Sequence, residues 1–288
     1  GTGGLFDILN RHGGNALAYL AHPNSTDYNN VLGNAYNLSA DNAIVGSAVE
    51  SGPAFSTNTT YTNPGTSMSY LSYYKNMLAK GYHLGPTIDH DNHNMTFGHT
   101  AKTRLVIRAA SLTENNLLDG MRKMRFYASQ DCSAKIDFTI NTTDVIGSIV
   151  TRAGAPVINV TSTGTTSAVT TVAIMYGVPG SGTAATQLTS SASGTFSYTD
   201  NALANGSQRY YYLDITEADG SRIVTAPIWY TRNDAARMAT PEPITSFFTV
   251  NETDRVTLKW TTENEEPAQA FEVQRSVDGG RTYLTLAN

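Results

Sequence analysis

From about Ser148 to Arg232 the sequence gives up helical periodicity altogether, and this constrains the fold more than any other feature. "APVINVTST", "VTTVAIMYGV", "GTFSYTD" and "RYYYLDITEADGSRIVTAPIWY" are Thr-, Val- and Tyr-rich runs bounded by Gly, Ser and Asn. Residues of these types fit a pleated, half-buried surface, and short runs at this spacing predict a β-sandwich domain over 148–232. "EADG" (217–220), between two alternating runs, predicts a hairpin turn. Tyr210, Tyr211, Tyr212, Trp229 and Tyr230 could line a carbohydrate surface, but the alternation favours cross-strand packing in the core.

The flanking segments read differently. Over 1–147 helical and strand patterns alternate. "LAYLAH" (17–22) is an apolar run of strand length. "SMSYLSYYKNMLAKG" (67–81) places Met68, Leu71, Tyr74, Met77 and Leu78 at helical spacing and closes on Lys80 and Gly81, a stop signal. "RLVIRAA" (104–110) predicts a strand, and "SLTENNLLDGMRKMR" (111–125) a helix in which Ser111 and Glu114 have capping-box spacing. "KIDFTI" (135–140) predicts another strand. Strands alternating with helices predict βα units in a largely parallel sheet or barrel. "NDAARMATPEP" (233–243) reads as a linker, and 244–288 as a third, smaller β unit with a "VDGG" turn (277–280). About four strands there are too few for a complete fibronectin-type sandwich.

The chain's 288 residues are enough for two or three domains with their own cores. Only 15% of residues are charged, so solubility rests on Ser, Thr, Asn and Gly, a pattern common in secreted bacterial proteins. The net charge of −5 and the scattered Lys and Arg offer no footprint for nucleic acid. No apolar run approaches the ~20 residues of a membrane span. A single cysteine, Cys132, rules out an internal disulfide framework. The opening "GTGGLFDIL", without Met, reads as a processed or internal start, so that any targeting segment would lie upstream.

All six histidines fall before residue 100, four of them within "GYHLGPTIDHDNHNMTFGHT" (81–100). Imidazole and carboxylate suit a borderline divalent ion such as Zn, Mn or Fe. In "DNH", Asp91 and His93 lie two apart, which on an extended segment points both to one side. His22 ends the run "LAYLAHP". A polar residue at the carboxyl end of a buried strand stands where α/β barrels keep their chemistry. The competing reading makes each a hydrogen-bonded structural residue, and His83, His90 and His99 solvated loop or pocket-wall residues.

The ordered series "ALAYLAHPN", "DNAIVGSAVESGP", "YYKNMLAKGYHLGPTIDHDNHNMTFG", "TRLVI", "SLTENNLLDGMRKMRFYAS" and "DFTIN" resembles the C-terminal half of PHP-domain metallohydrolases (the polymerase and histidinol phosphatase superfamily). The secreted bacterial branch that includes carbaryl-hydrolase-like proteins is the nearest in flavour. The resemblance implies a distorted seven-stranded (β/α) barrel with two or three divalent metals. Carried over residue by residue, it makes His22, Asp91 and His93 metal ligands. A metal-activated water would then attack a small-molecule ester, carbamate or phosphoester. His90 and His83, with Asp89, become candidates for proton transfer or substrate contact, and Asn24, Glu50, Arg104 and Arg108 weaker ones. Glu50 reads more simply as a solvated loop carboxylate. The family's histidine-x-histidine motif is absent, so the expectation is half a barrel, its missing N-terminal segment supplied by the longer protein. The last unit resembles the noncatalytic fibronectin-type module preceding sorting tails in Bacteroidetes-type bacteria, which implies a secreted or cell-surface location. The middle unit resembles the sandwich appended to secreted PHP proteins. The alternative is a noncatalytic surface protein whose β modules contact glycan or protein.

Overall fold

The computed structural model describes residues 4–12, 16–24, 31–61, 67–235, 244–251, 256–262, 273–276 and 284–287. Helix α1 (Leu5–Arg11) is followed by β1 (Ala18–Leu20), α2 (Leu38–Ala43), β2 (Ile44–Ser51), α3 (Leu71–Lys80) and β3 (Gly85–Asp89). The three strands pair in the order β1-β2-β3, all parallel. Strand β2 is buried from Ile44 to Glu50, and burial on both faces leaves no room for an alternating polar face. Helix α3 forms as its spacing predicts: Met68, Leu71, Tyr74, Met77 and Leu78 are all buried. Gly81, at φ 108°, ends it in the left-handed region that favours glycine.

Next come β4 (Arg104–Ile107), α4 (Glu114–Arg122) and β5 (Phe126–Ser129). Here the structure departs from the expected half barrel: β4 pairs antiparallel with β5 instead of adding a fourth parallel strand. The connecting helix is only shallowly packed: Gly120 is its one fully buried residue, with Leu117, Leu118 and Met121 half-buried. Its cap also differs from the expectation. Thr113 is the N-cap residue, and Ser111 Oγ instead accepts from Asn116 Nδ2 at 2.7 Å.

From there the chain is all strand: β6 (Lys135–Ile140), β7 (Asp144–Val145), β8 (Ile149–Arg152), β9 (Val157–Thr163), β10 (Val169–Gly177), β11 (Thr186–Ser191), β12 (Thr195–Thr199), β13 (Gln208–Glu217), β14 (Arg222–Thr225) and β15 (Ile228–Arg232). One sheet runs β11-β10-β13-β14-β5-β4, with β15 on β13 and β8 on β15; a second runs β12-β9-β6-β7. The pairing therefore crosses residue 147. Strand β5 hydrogen-bonds to β14, and β6 to β9. The composition changes near 147, but the hydrogen bonding does not stop there. Tyr210, Tyr211, Tyr212, Trp229 and Tyr230 are all fully buried, which removes them as a carbohydrate platform. Beyond residue 243, β16 (Ile244–Asn251) pairs antiparallel with β17 (Val256–Thr262), and β18 (Val273–Arg275) with β19 (Leu284–Ala287). The VDGG turn and most of the predicted linker lie outside the described residues. The protein is thus mostly β-sheet with few helices, and no described helix is long and apolar enough to cross a membrane.

Phe126 joins the parallel sheet to the large one. A methyl group built on Gly85 would lie 2.5 Å from its Cε2, and one on Gly46 would lie 3.5 Å from its Cζ. The ring occupies the space left by the missing side chain of Gly85, while at Gly46 the Thr87 methyl is the closer neighbour, 2.6 Å from where a Cβ would lie. Helix α3 reaches the same large sheet: the Tyr74 ring packs edge-on against Tyr212 of β13 at 6.4 Å between centroids, and Lys75 pairs with Asp214 at 3.6 Å.

An acidic pair lies at the far end of β13. Glu217 and Asp131 are 2% and 1% exposed. Asp131 Oδ2 accepts from the backbone and the hydroxyl of Thr166, and its Oδ1 accepts from the Ser133 amide. Burial pushes the Asp131 carboxyl up, and these hydrogen bonds outweigh it, holding it below the usual range. Glu217 has only the Ser167 amide as such a donor, which does not offset its surroundings. Burial, followed by the charges of Asp131 and Asp219, pushes it up to about 7.

Two outcomes follow. Gly85→Ala destabilises the chain by about 1–3 kcal/mol through overpacking, and Phe126→Ala by about 3–5 kcal/mol. The double variant costs less than the sum, because the added methyl group then has room; denaturant titration of the three proteins measures this. The folded state holds the Glu217 proton more tightly than the unfolded chain does. Its stabilising contribution is therefore complete below 4.5 and is lost as pH rises through about 7. In metal-free buffer, denaturant titration shows Glu217→Gln flattening the fall in stability across that window, by up to about 3 kcal/mol.

Candidate functional site

Because β1, β2 and β3 are parallel, their carboxyl ends share one edge, the edge at which open α/β sheets bind ligands. His22 lies two residues past β1, Asp91 two past β3, and Glu50 near the end of β2. His22 has φ 31° and Asp91 φ 46°. Both are non-glycine residues held in the left-handed region, a conformation that costs free energy and persists where the surroundings impose it. The Asp91 turn is fixed by Asp89, whose Oδ1 accepts from the Asp91 amide at 2.9 Å and from Ser51 Oγ at 2.8 Å. The other oxygen, Asp89 Oδ2, is buried and has no hydrogen-bond partner.

Tyr19 of β1 lies within electrostatic reach of the Asp89 and Asp91 carboxylates. Burial first, and then the charges of Asp89 and Asp91, push its hydroxyl up. Sequence reasoning missed Tyr19; its only signal was its place in the apolar run leading to His22. Glu50 is not the solvated loop carboxylate expected from the sequence. It is 1% exposed, within β2, and accepts from Gln130 Nε2 at 2.7 Å. Gln130 Oε1 in turn accepts from the Arg222 amide at 3.0 Å. The buried edge of the parallel sheet is thus linked to the β5–β14 pair.

The histidines divide by position. His93 is half exposed, with Nδ1 4.0 Å from Asp91 Oδ1 and 2.6 Å from the Asp91 carbonyl oxygen. Its ring lies 4.7 Å from that of Phe55. His90 has both ring nitrogens engaged: Nε2 with the carbonyl and hydroxyl of Thr103, Nδ1 with the hydroxyl of Thr100. Burial lowers its pKa. These bonds brace the loop before β4. His83 precedes β3 and so lies at the opposite, amino edge. There its backbone amide and Nδ1 bond Asp41, at 2.6 and 2.9 Å, and its ring lies 5.0 Å from Trp229. The length of β3 separates it from the carboxyl edge.

The remaining candidates are committed elsewhere. His99 stacks on Tyr61 at 6.3 Å, with the Arg104 guanidinium 5.3 Å from the centre of that ring. Arg104 donates to the carbonyls of Gly98, Ala101 and Thr103. Arg108 pairs with Asp137 at 2.8 Å. Asn24, exposed just past His22, makes an interaction of its own.

The donors at the carboxyl edge suit a hard or borderline divalent ion, and the unpartnered Asp89 oxygen is the kind of buried acceptor such an ion satisfies. Their arrangement stops short of a ligand set. Among the described residues, no group of three or more His, Cys, Asp or Glu side chains is placed to hold a metal ion. The structure brings Asp91 and His93 together and sets both on the edge where His22 ends β1, but it does not close the three around one point. Compared with known proteins, the chain matches no family model, no curated protein and no solved structure.

Proposed function

We propose that the carboxyl edge of the parallel sheet is part of the site of a secreted, PHP-type metal-dependent hydrolase acting on a small-molecule ester or phosphoester. One observation carries the reading. Two of the three ligand residues inferred from the sequence, His22 and Asp91, are non-glycine residues in left-handed conformations just past parallel strands. That is strain placed where such sheets do chemistry.

In this reading His22 and Asp91 hold the ion, with Asp89 buttressing the Asp91 turn and His93 at the exposed rim. A divalent ion at this edge supplies water made acidic enough to attack an ester near neutral pH. Water and further protein groups would complete the shell. The acidic net charge and the β-rich remainder favour a small substrate over nucleic acid. The noncatalytic surface-protein reading has lost its aromatic platform to the core.

Metal analysis of the full-length protein tests the proposal. Wild type loaded with zinc or manganese retains the ion through gel filtration. His22→Ala and Asp91→Ala weaken binding by more than the roughly 10–100-fold that loss of a supporting residue costs. His83→Ala, at the opposite edge, leaves it unchanged. If His22→Ala and Asp91→Ala both retain metal as wild type does while remaining folded by circular dichroism, the assignment is wrong.

A further inference from the structure

We propose that the corner formed by Asp131, Glu217 and Ser221 is a calcium site of the β-sandwich, separate from the edge described above. Glu217 ends β13 and Ser221 precedes β14, on either side of the three-residue turn Ala218–Gly220. The Glu217 amide donates to the Ser221 carbonyl at 2.9 Å, so the two residues face each other across the hairpin. Opposed residues of an antiparallel pair project their side chains to the same face. The Asp131 carboxyl, arriving from the end of β5, lies next to that of Glu217.

The corner holds more oxygen than its donors satisfy. The hydroxyl of Ser221 is buried without a hydrogen-bond partner, and the buried Glu217 carboxyl has only loose contacts with the Ser167 amide and the Asp131 carboxyl. Ser221 is fully buried. It is therefore a polar side chain, independent of the two acids, that faces them without a partner. No cationic side chain answers the charge. None of the ion pairs among the described residues includes Glu217, and the nearby Arg222 is committed to Asp214 through two contacts of 2.7 and 2.5 Å. Two neighbouring buried carboxylates repel each other when ionised, and a cation removes the cost of keeping both in the fold.

The chemistry selects calcium. Every available donor is an oxygen, from carboxylate and hydroxyl groups. Calcium accepts irregular shells of six to eight oxygens, whereas magnesium demands a near-ideal octahedron and sheds its water reluctantly. Exposed Asp219 stands in the turn, its Oδ1 accepting from the Ser221 amide at 2.9 Å. It marks the solvent side, where water completes the shell and from which the ion enters.

The test is calorimetric and thermal titration of the full chain with calcium chloride at pH 8, after removal of bound metal by chelation. One saturable site with half-saturation near 0.1–1 mM, the range of extracellular calcium modules, is expected, together with a rise in melting temperature that magnesium does not reproduce. Glu217→Gln, which removes the charge and keeps the shape, lowers affinity at least about tenfold. Ser221→Ala lowers it less. His22→Ala and Asp91→Ala leave calcium binding unchanged, so this proposal stands or falls apart from the hydrolase reading. Absence of a calcium response up to about 10 mM, or wild-type affinity in Glu217→Gln, overturns it. If Glu217→Gln does not fold, wild-type affinity in Ser221→Ala does so.

Discussion

The structure depends on one contact: the Phe126 ring seated in the space that Gly85 leaves bare, beside Gly46. Parallel strands are ordinarily covered by the helices that connect them. Here one face of the β2–β3 pair is covered by a phenyl ring from another sheet, at a separation only glycine permits. Because that ring belongs to β5, the three-stranded parallel sheet is oriented by the sandwich, and its carboxyl edge is set with it. The Glu50–Gln130–Arg222 link fixes the same joint with polar groups. An apolar contact and a buried hydrogen-bond relay thus hold one interface.

Much of this was legible in the sequence where packing is one-sided. The buried stripe of α3 and the Tyr-rich core strand β13 follow directly from periodicity and residue type. Strand β11 was not legible: Thr186–Ser191 is a polar run, and an edge strand with exposed side chains carries no hydrophobic signature. Strand β5 was hidden in the tail of a helical pattern, since "MRKMR" runs into "FYAS" without a turn residue. The direction of β4 could not be read either. Periodicity identifies a strand but not its partner or its direction.

At the candidate site the sequence located the edge but did not establish the geometry. The terminal positions of His22 and Asp91 follow from strand ends, which an apolar run and a proline make visible. The roles of His83 and His90 depend on which end of β3 each occupies and on which hydroxyls and carboxylates meet their rings. Asp41 and Thr103, their partners, lie 42 and 13 residues away in sequence. Asp131 and Glu217, 86 positions apart, carry no local signal at all; only the apposition of β5, β14 and β13 makes a pair of them.

The hydrogen bonding that runs through residue 147 bears on how this polypeptide can be dissected. Severing it at the compositional change would leave β5 without β14 and β6 without β9, two long rows of amide and carbonyl groups laid open to whatever strand came next. The N-terminal fragment would keep both the candidate edge and Phe126 but lose Arg222, the far end of the Glu50–Gln130 link, and the strand that pairs with β5. Excision of a functional unit therefore has to respect the sheets and not the change in residue usage.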